Sequence, residues 1–258
     1  MAARAMWKGV VRFEDVRVPV KLYSAVEDRS VHFRLLHRKD QAPVRQAMLN
    51  PETDEVVPYE HIRKAFVSGE GDLVVLEKDE LETIEPEPAR EIRIVSFLPV
   101  RAIDHRWYLR PYWLGPDGAG ERYAAFVRAL AGSEREGLAR WVMRKKEYVG
   151  ALRLVEGYPV LITLRHAEQV VPAEELEAPG GPTLAPKELD MARRLMDMMA
   201  ADFDPTEYRD EYRASVMEMI DRKASGGSVK KRKAPKRRPT DDLAAALEAS
   251  LKEERKRA

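Results

Sequence analysis

The residues of this sequence best equipped for chemistry are cations, and they come in two arrangements. One is a dense run, KKRKAPKRRP at 230–239, in which Lys230, Lys231, Arg232, Lys233, Lys236, Arg237 and Arg238 stand among two prolines with no acid. The other is dispersed. Arg29, Arg34, Arg38 and Lys39 fall in RSVHFRLLHRKD, Arg63 and Lys64 in HIRKAF, and Arg101, Arg106 and Arg110 in RAIDHRWYLRPYW; Arg144, Lys145 and Lys146 follow in RWVMRKKEY. Guanidinium and ammonium groups recurring in separate segments can track a polyanion by its phosphates. Lys and Arg on the solvent sides of strands also serve solubility alone, and residue types do not separate the two uses. Trp107, Tyr108, Tyr112 and Trp113 interleave with one cluster, where they could stack on bases; aromatics at that density more often build a core or an interface. The dense run is open to three readings by itself: a nuclear-import signal, an RNA-binding arm or a membrane-surface patch.

Other chemistries find little support. There is no cysteine, which excludes disulfides, thiolate metal sites, iron–sulfur clusters and thiol catalysis. His32, His37, His61, His105 and His166 form no H-x-x-x-H pair. No phosphate-cradling or dinucleotide-binding glycine motif is present, and GEGD at 69–72 reads as a turn. The carboxylates of DELETIEPEPARE (79–91) are irregularly spaced, as in a solvated loop. The expectation is therefore no catalytic residue, no metal and no cofactor. MAARAMWKGVVRF lacks a long apolar stretch, and no apolar run reaches about 18 residues. A soluble cytoplasmic protein without membrane contact is expected.

The elements that must carry these cations read mainly as strands. WKGVVRF (7–13) and VRVPVKL (16–22) alternate apolar and polar residues with period two, and Glu14-Asp15 suits a tight reversal between them. Pro19 cannot donate a ladder hydrogen bond, so an edge or bulged strand is expected there. Further strands are expected at 31–37, 73–77, 91–98, 138–144 and 159–164. Helices are expected at 77–84 and at 121–131, the latter ended by Gly132. Residues 40–72 have polar turns and no sustained apolar face, as in an extended excursion from the core, which is either a functional arm or disorder. After the proline–glycine string at 179–182, helices are expected at 187–199 and 205–223, the second capped by Asp204 with Pro205 at its first position and Glu207 closing a capping box. ASGGS (224–228) reads as a flexible joint, and 240–258 as an amphipathic helix capped by Thr240. Many short strands with few helices favour a barrel or sandwich.

Charge is uneven. The chain has 45 basic and 44 acidic residues and a formal net charge of +1, so everything outside the dense run is net negative. Residues 1–50 and 99–165 are net basic, and 51–98 and 166–229 are net acidic.

Taken in order, WKGVVRF…VRVPVKLYSAVEDRSVHFRLLHRKD, GDLVVLEKDELE, YLRPYWLGPD, LRHAEQV and KELDMARRLMDMMAADFDPTEYRDEYRASVMEMIDRKASG resemble the Ku DNA-end-binding proteins in their bacterial form. The resemblance covers roughly residues 4–224 and then the tail. One departure is Glu14, where glycine is expected after the phenylalanine. The resemblance implies a mainly β fold with α. It comprises a Ku-type β-barrel core over 1–178 with a DNA-encircling arm at about 30–75, a helical region over 179–224 and a basic extension over 225–258. It implies a non-catalytic homodimeric ring, threaded onto double-stranded DNA ends without regard to sequence, with an ATP-dependent end-joining ligase recruited through the C-terminal region. Channel contacts are expected from Arg34, Arg38, Lys39, Arg45, Arg63, Lys64, Arg110, Lys145 and Lys146, with the dense run as an added DNA-binding extension. An enzyme acting at DNA ends, a nuclease or lyase, is the alternative; a general nucleoid-binding protein is another.

Overall fold

The computed structural model describes residues 4–177, 180–181 and 185–226. The chain divides into two compact units, Met1–Arg29 with Arg34–Glu175, and Ser30–Phe33 with Leu176–Ala258.

The first unit is organised by a seven-stranded closed barrel. Its strands are β1 (Trp7–Phe13), β2 (Val16–Ser24), β5 (Glu91–Pro99), β6 (Tyr108–Pro116), β7 (Arg135–Met143), β8 (Lys146–Val155) and β9 (Tyr158–Leu164). Around the barrel they run β1-β2-β6-β9-β8-β7-β5, and a parallel pairing of β1 with β5 closes the circle. Period-two alternation sends Val11, Val18, Val20, Leu22, Ile92, Leu114, Ala139, Leu152 and Leu161 inward, each at most 2% exposed. Full burial of each Leu, Ile or Val stabilises by roughly 1.5–3 kcal/mol. Trp141 lies flat on Tyr148 inside the barrel, ring centroids 5.5 Å apart. Gly150 makes room for that stack, because a Cβ there would stand 2.7 Å from the Trp141 ring and 2.6 Å from the Ile162 carbonyl.

Helix α2 (Gly120–Ser133) lies against the barrel, burying Phe126 and Leu130, while Tyr123 Oη donates to the Leu114 carbonyl at 2.6 Å. It passes Gly132 and stops at Glu134, whose φ of 49° is left-handed. Closure also corrects the expectation for Pro19. A closed barrel has no edge, and β2 lies between β1 and β6. The ladder to β6 begins at Val20↔Pro116, so the proline sits one residue outside it. Strand β6 was not expected, because Pro111, Gly115 and Pro116 break its pattern; a register shift between Tyr108 and Pro111 accommodates the proline. Strand β8 was hidden by its charged start.

Between β2 and β5 the chain leaves the barrel. From Arg34 to Arg63 there is no strand; the chain makes isolated bridges Leu36↔Pro43 and Leu49↔Val56 and a 3₁₀ turn, Tyr59–His61. The strand expected at 31–37 does not form, because a strand needs a partner ladder and this segment has a single bridge. Next come a two-stranded hairpin, β3 (Lys64–Val67) with β4 (Leu73–Leu76), and helix α1 (Lys78–Thr83). A capping box starts α1, the Glu80 carboxylate accepting the Glu77 N–H at 2.8 Å.

In the second unit, α3 (Pro186–Met198) opens with proline at its first position. The following helix begins later than expected. Asp204 accepts from Thr206 N at 2.8 Å, but it caps a single 3₁₀ turn, Pro205–Glu207. Helix α4 (Glu211–Ala224) is capped instead by Asp210, which accepts from Arg213 N at 2.8 Å. Phe203 and Tyr208 stack at 5.2 Å in the intervening turn, and Val216 is the buried residue of α4.

Candidate nucleic-acid interface

Four of the nine cations singled out from the folded part share one loop. Val44 N donates to Leu35 O at 3.1 Å and His37 N to Ala42 O at 2.8 Å, drawing the two sides of the loop together. Arg34 and Arg45 flank the first bond, and Arg38 and Lys39 form the tip. Asp40 holds the tip closed. Its carboxylate accepts from Ala42 N at 3.1 Å and shares a 2.7 Å hydrogen bond with His37 Nδ1. Those two partners, the Ala42 amide foremost, lower the Asp40 pKa. The acid is thus engaged within the turn. Among the described residues, Arg34, Arg38, Lys39 and Arg45 have no carboxylate within 4 Å, and all four are exposed. A second turn of similar build follows, where Asn50 Oδ1 accepts from Glu52 N at 3.0 Å and Asp54 adopts a φ of 56°.

The other five stand on other elements. Arg63 pairs with Glu77 at 3.0 Å across the open end of the β3–β4 hairpin, and Lys64 opens β3. Arg110 lies on β6, 5.8 Å from the Tyr112 ring centroid, with a 3.4 Å hydrogen bond to Ser24 Oγ. Lys145 and Lys146 come at the β7–β8 hairpin, whose two-residue turn, Arg144-Lys145, has φ values of 53° and 62°. Turns with both central residues left-handed favour Asn-Gly, so a cationic pair there holds strain. Lys145 Nζ reaches Glu85 at 2.8 Å, and this bond raises the lysine's pKa. Two of the nine cations, Arg63 and Lys145, are therefore already matched by carboxylates. The dense run, Lys230 to Arg238, lies outside the described residues.

Three of the aromatics among the cations, Tyr108, Tyr112 and Trp113, lie on β6 of the barrel, and Trp107 ends the 3₁₀ turn His105–Trp107 before it. Tyr112 is buried, Trp113 meets Tyr158 edge to face at 6.1 Å, and Tyr108 Oη donates to the Glu136 carboxylate at 3.2 Å. Burial, then the Glu136 charge, raises the Tyr108 pKa. Glu136 itself is fully buried on β7, with Arg153 Nη1 of the neighbouring strand 4.0 Å away and that guanidinium 5.0 Å from the Tyr108 ring centroid. Nothing in REGLARWVM marks this residue, because its burial depends on side chains from β6 and β8.

The register also aligns cations that alternation alone assigns only to solvent: Arg17, Arg12, Arg93 and Arg140 occupy successive neighbouring strands. Among the described residues no group of three or more His, Asp or Glu gathers to hold a metal ion. No helix of the described residues is long and apolar enough to cross a membrane.

A family model described as the Ku70/Ku80 beta-barrel domain matches residues 12–191. Among similar proteins, the non-homologous end joining protein Ku of Coxiella burnetii is 35% identical over 99% of this chain and 97% of its own length. Non-homologous end joining protein Ku 1 of Geotalea uraniireducens is 34% identical, over 99% of each chain. The corresponding protein of Mycobacterium tuberculosis H37Rv is 32% identical over 96% of this chain and 95% of its own.

Proposed function

The chain belongs to the Ku family, and on that premise we propose that it is a non-catalytic homodimeric ring that threads onto double-stranded DNA ends in non-homologous end joining. One observation carries the reading. The excursion from Arg34 to Leu76 presents unpaired cations beside apolar side chains left in water: Leu36, Met48, Leu49, Val56, Tyr59 and Phe66 are all exposed. A two-stranded hairpin is marginal alone, and β3 with β4 buries no residue. Apolar surface of this extent calls for a partner. A second copy supplies it, since a homodimer brings two such excursions together, and the cations between them meet phosphates without reading bases. Threading then selects for ends, because a closed duplex has none.

In this reading residues 1–178 are the core with its arm, and 179–224, with exposed Met196, Met199, Phe203 and Tyr212, serve the dimer or recruit an ATP-dependent end-joining ligase. Residues 225–258 add affinity by tethering cations near the duplex. The deciding experiment is a mobility shift with linear and covalently closed circular duplex at two salt concentrations. The ring binds the linear form alone, with a log–log salt slope of about −0.9 per phosphate neutralised. Equal affinity for the two forms refutes threading. Ligase stimulation that survives deletion of 187–258 refutes the recruiting role.

A further inference from the structure

The pairing register sets four arginines side by side on the outside of the barrel. Arg17 on β2 is opposite Arg12 on β1, Arg12 is in register with Arg93 on β5, and Arg93 is opposite Arg140 on β7. Each adjoins a residue of the barrel interior (Val18, Val11, Ile92 and Ala139), so all four point to the same outer face. With neighbouring strands about 4.8 Å apart, the row crosses roughly 14 Å of sheet. Like charges directly opposite one another destabilise a sheet, and here three such pairs follow in succession. Carboxylates offset the repulsion in part. Glu91 lies 3.2 Å from Arg12 and 3.7 Å from Arg17, and Glu147 lies 3.8 Å from Arg140. Arg12 Nε also donates to the Glu14 carbonyl at 3.3 Å. Four cations against two acids leave the row net positive, and among the described residues Arg93 has no carboxylate within 4 Å.

We propose that this row is a second phosphate-binding surface for double-stranded DNA, distinct from the cations at 34–45 and 145–146. It rests on the duplex-binding reading above. Guanidinium forks engage phosphate oxygens in pairs, and a row carried by four strands of a closed barrel is held in place before DNA arrives, which lowers the ordering cost of binding. Glu91 and Glu147 moderate the repulsion until phosphates replace them.

The test compares wild type with R93Q/R140Q and R12Q/R17Q/R93Q/R140Q in salt-titrated mobility shifts on linear and closed circular duplex, with thermal melts alongside. The salt slope should shrink by about 1.8 in the double variant and about 3.6 in the quadruple, with roughly tenfold or greater loss of affinity for the quadruple. The melting temperature should hold or rise, since like-charge repulsion is removed. A folded quadruple variant with unchanged slope and affinity overturns the row. So does a loss of affinity that merely tracks a fall in melting temperature. Equal wild-type binding to both DNA forms counts against the threaded ring alone; the row stands if the variants lose slope on both forms and falls if they do not.

Discussion

Inside the barrel Val20, Leu22, Ile92, Leu152 and Leu161 are shut away from water, while in the excursion Leu35, Met48, Leu49, Val56 and Tyr59 lie in it. The cations differ in the same sense. On the barrel Lys21 sits 2.9 Å from Asp117, and Arg12 and Arg17 share Glu91; at the tip of the excursion Asp40 is engaged by His37 and Ala42, and among the described residues Arg38 and Lys39 have no carboxylate within 4 Å. The same residue types thus do different work. Where strands close on themselves, apolar groups hold the fold and acids meet many of the surface cations, though not Arg93. Where the chain leaves the barrel, both are left for something else to complete.

The barrel and the excursion should respond differently to the loss of an apolar side chain. Leu152→Ala should destabilise the protein by about 2–5 kcal/mol in denaturant melts, whereas Leu49→Ser should stay within about 0.5 kcal/mol for the monomer and act instead on self-association. A comparable loss from Leu49→Ser in the monomer would mean that the excursion has a hidden core. Replacing Arg38 and Lys39 by Gln should reduce the salt slope of duplex binding by about 1.8 and leave the melting curve in place; a protein that melts earlier with its slope intact would assign the tip to structure.

A smaller effect is expected in the opposite direction at the β1–β2 turn. Glu14 has a φ of 48°, which glycine adopts without the clash an L side chain suffers. Glu14→Gly should therefore stabilise by about 0.5–1 kcal/mol, and an unchanged or lowered midpoint would show that Glu14 is not strained there. The smallest effect is local and depends on pH. The lowered Asp40 pKa means that its carboxylate steadies the 37–42 turn above the ordinary carboxylate pKa, and that this support fades as pH falls through the depressed value. Followed by NMR, the Ala42 amide should titrate with a midpoint below the usual aspartate value of about 3.9; a midpoint at or above it would remove Asp40 from the turn.

Much of the barrel was legible because alternation is a local signal. β1, β2, β5, β7 and β9, and β4 of the separate hairpin, each carry enough apolar–polar alternation or continuous apolar sequence to be seen alone. β6 was not legible, since Pro111 and Pro116 look like breakers until a bulge and a neighbouring strand absorb them. The α4 boundary was misplaced because Asp204-Pro205 and Asp210 offer competing caps, and only the folded backbone chose the second. The excursion was legible as a lack of pattern; its turn-held cations were legible as residues, without the Asp40 contacts that make them a unit.

By itself, the sequence determined the absence of thiol chemistry, the outward placing of Arg12 and Arg17 and the family resemblance, all of which follow from composition, local period and order. Tertiary structure alone decided which strand lies beside which. Arg12 and Arg93 are neighbours only because β1 pairs in parallel with a strand about eighty residues downstream, and Glu136 is buried only because β6 and β8 bring Tyr108 and Arg153 against it. Side-chain direction is set by each residue's own backbone, whereas lateral adjacency is set by hydrogen-bond ladders between distant segments, and no local pattern encodes that register.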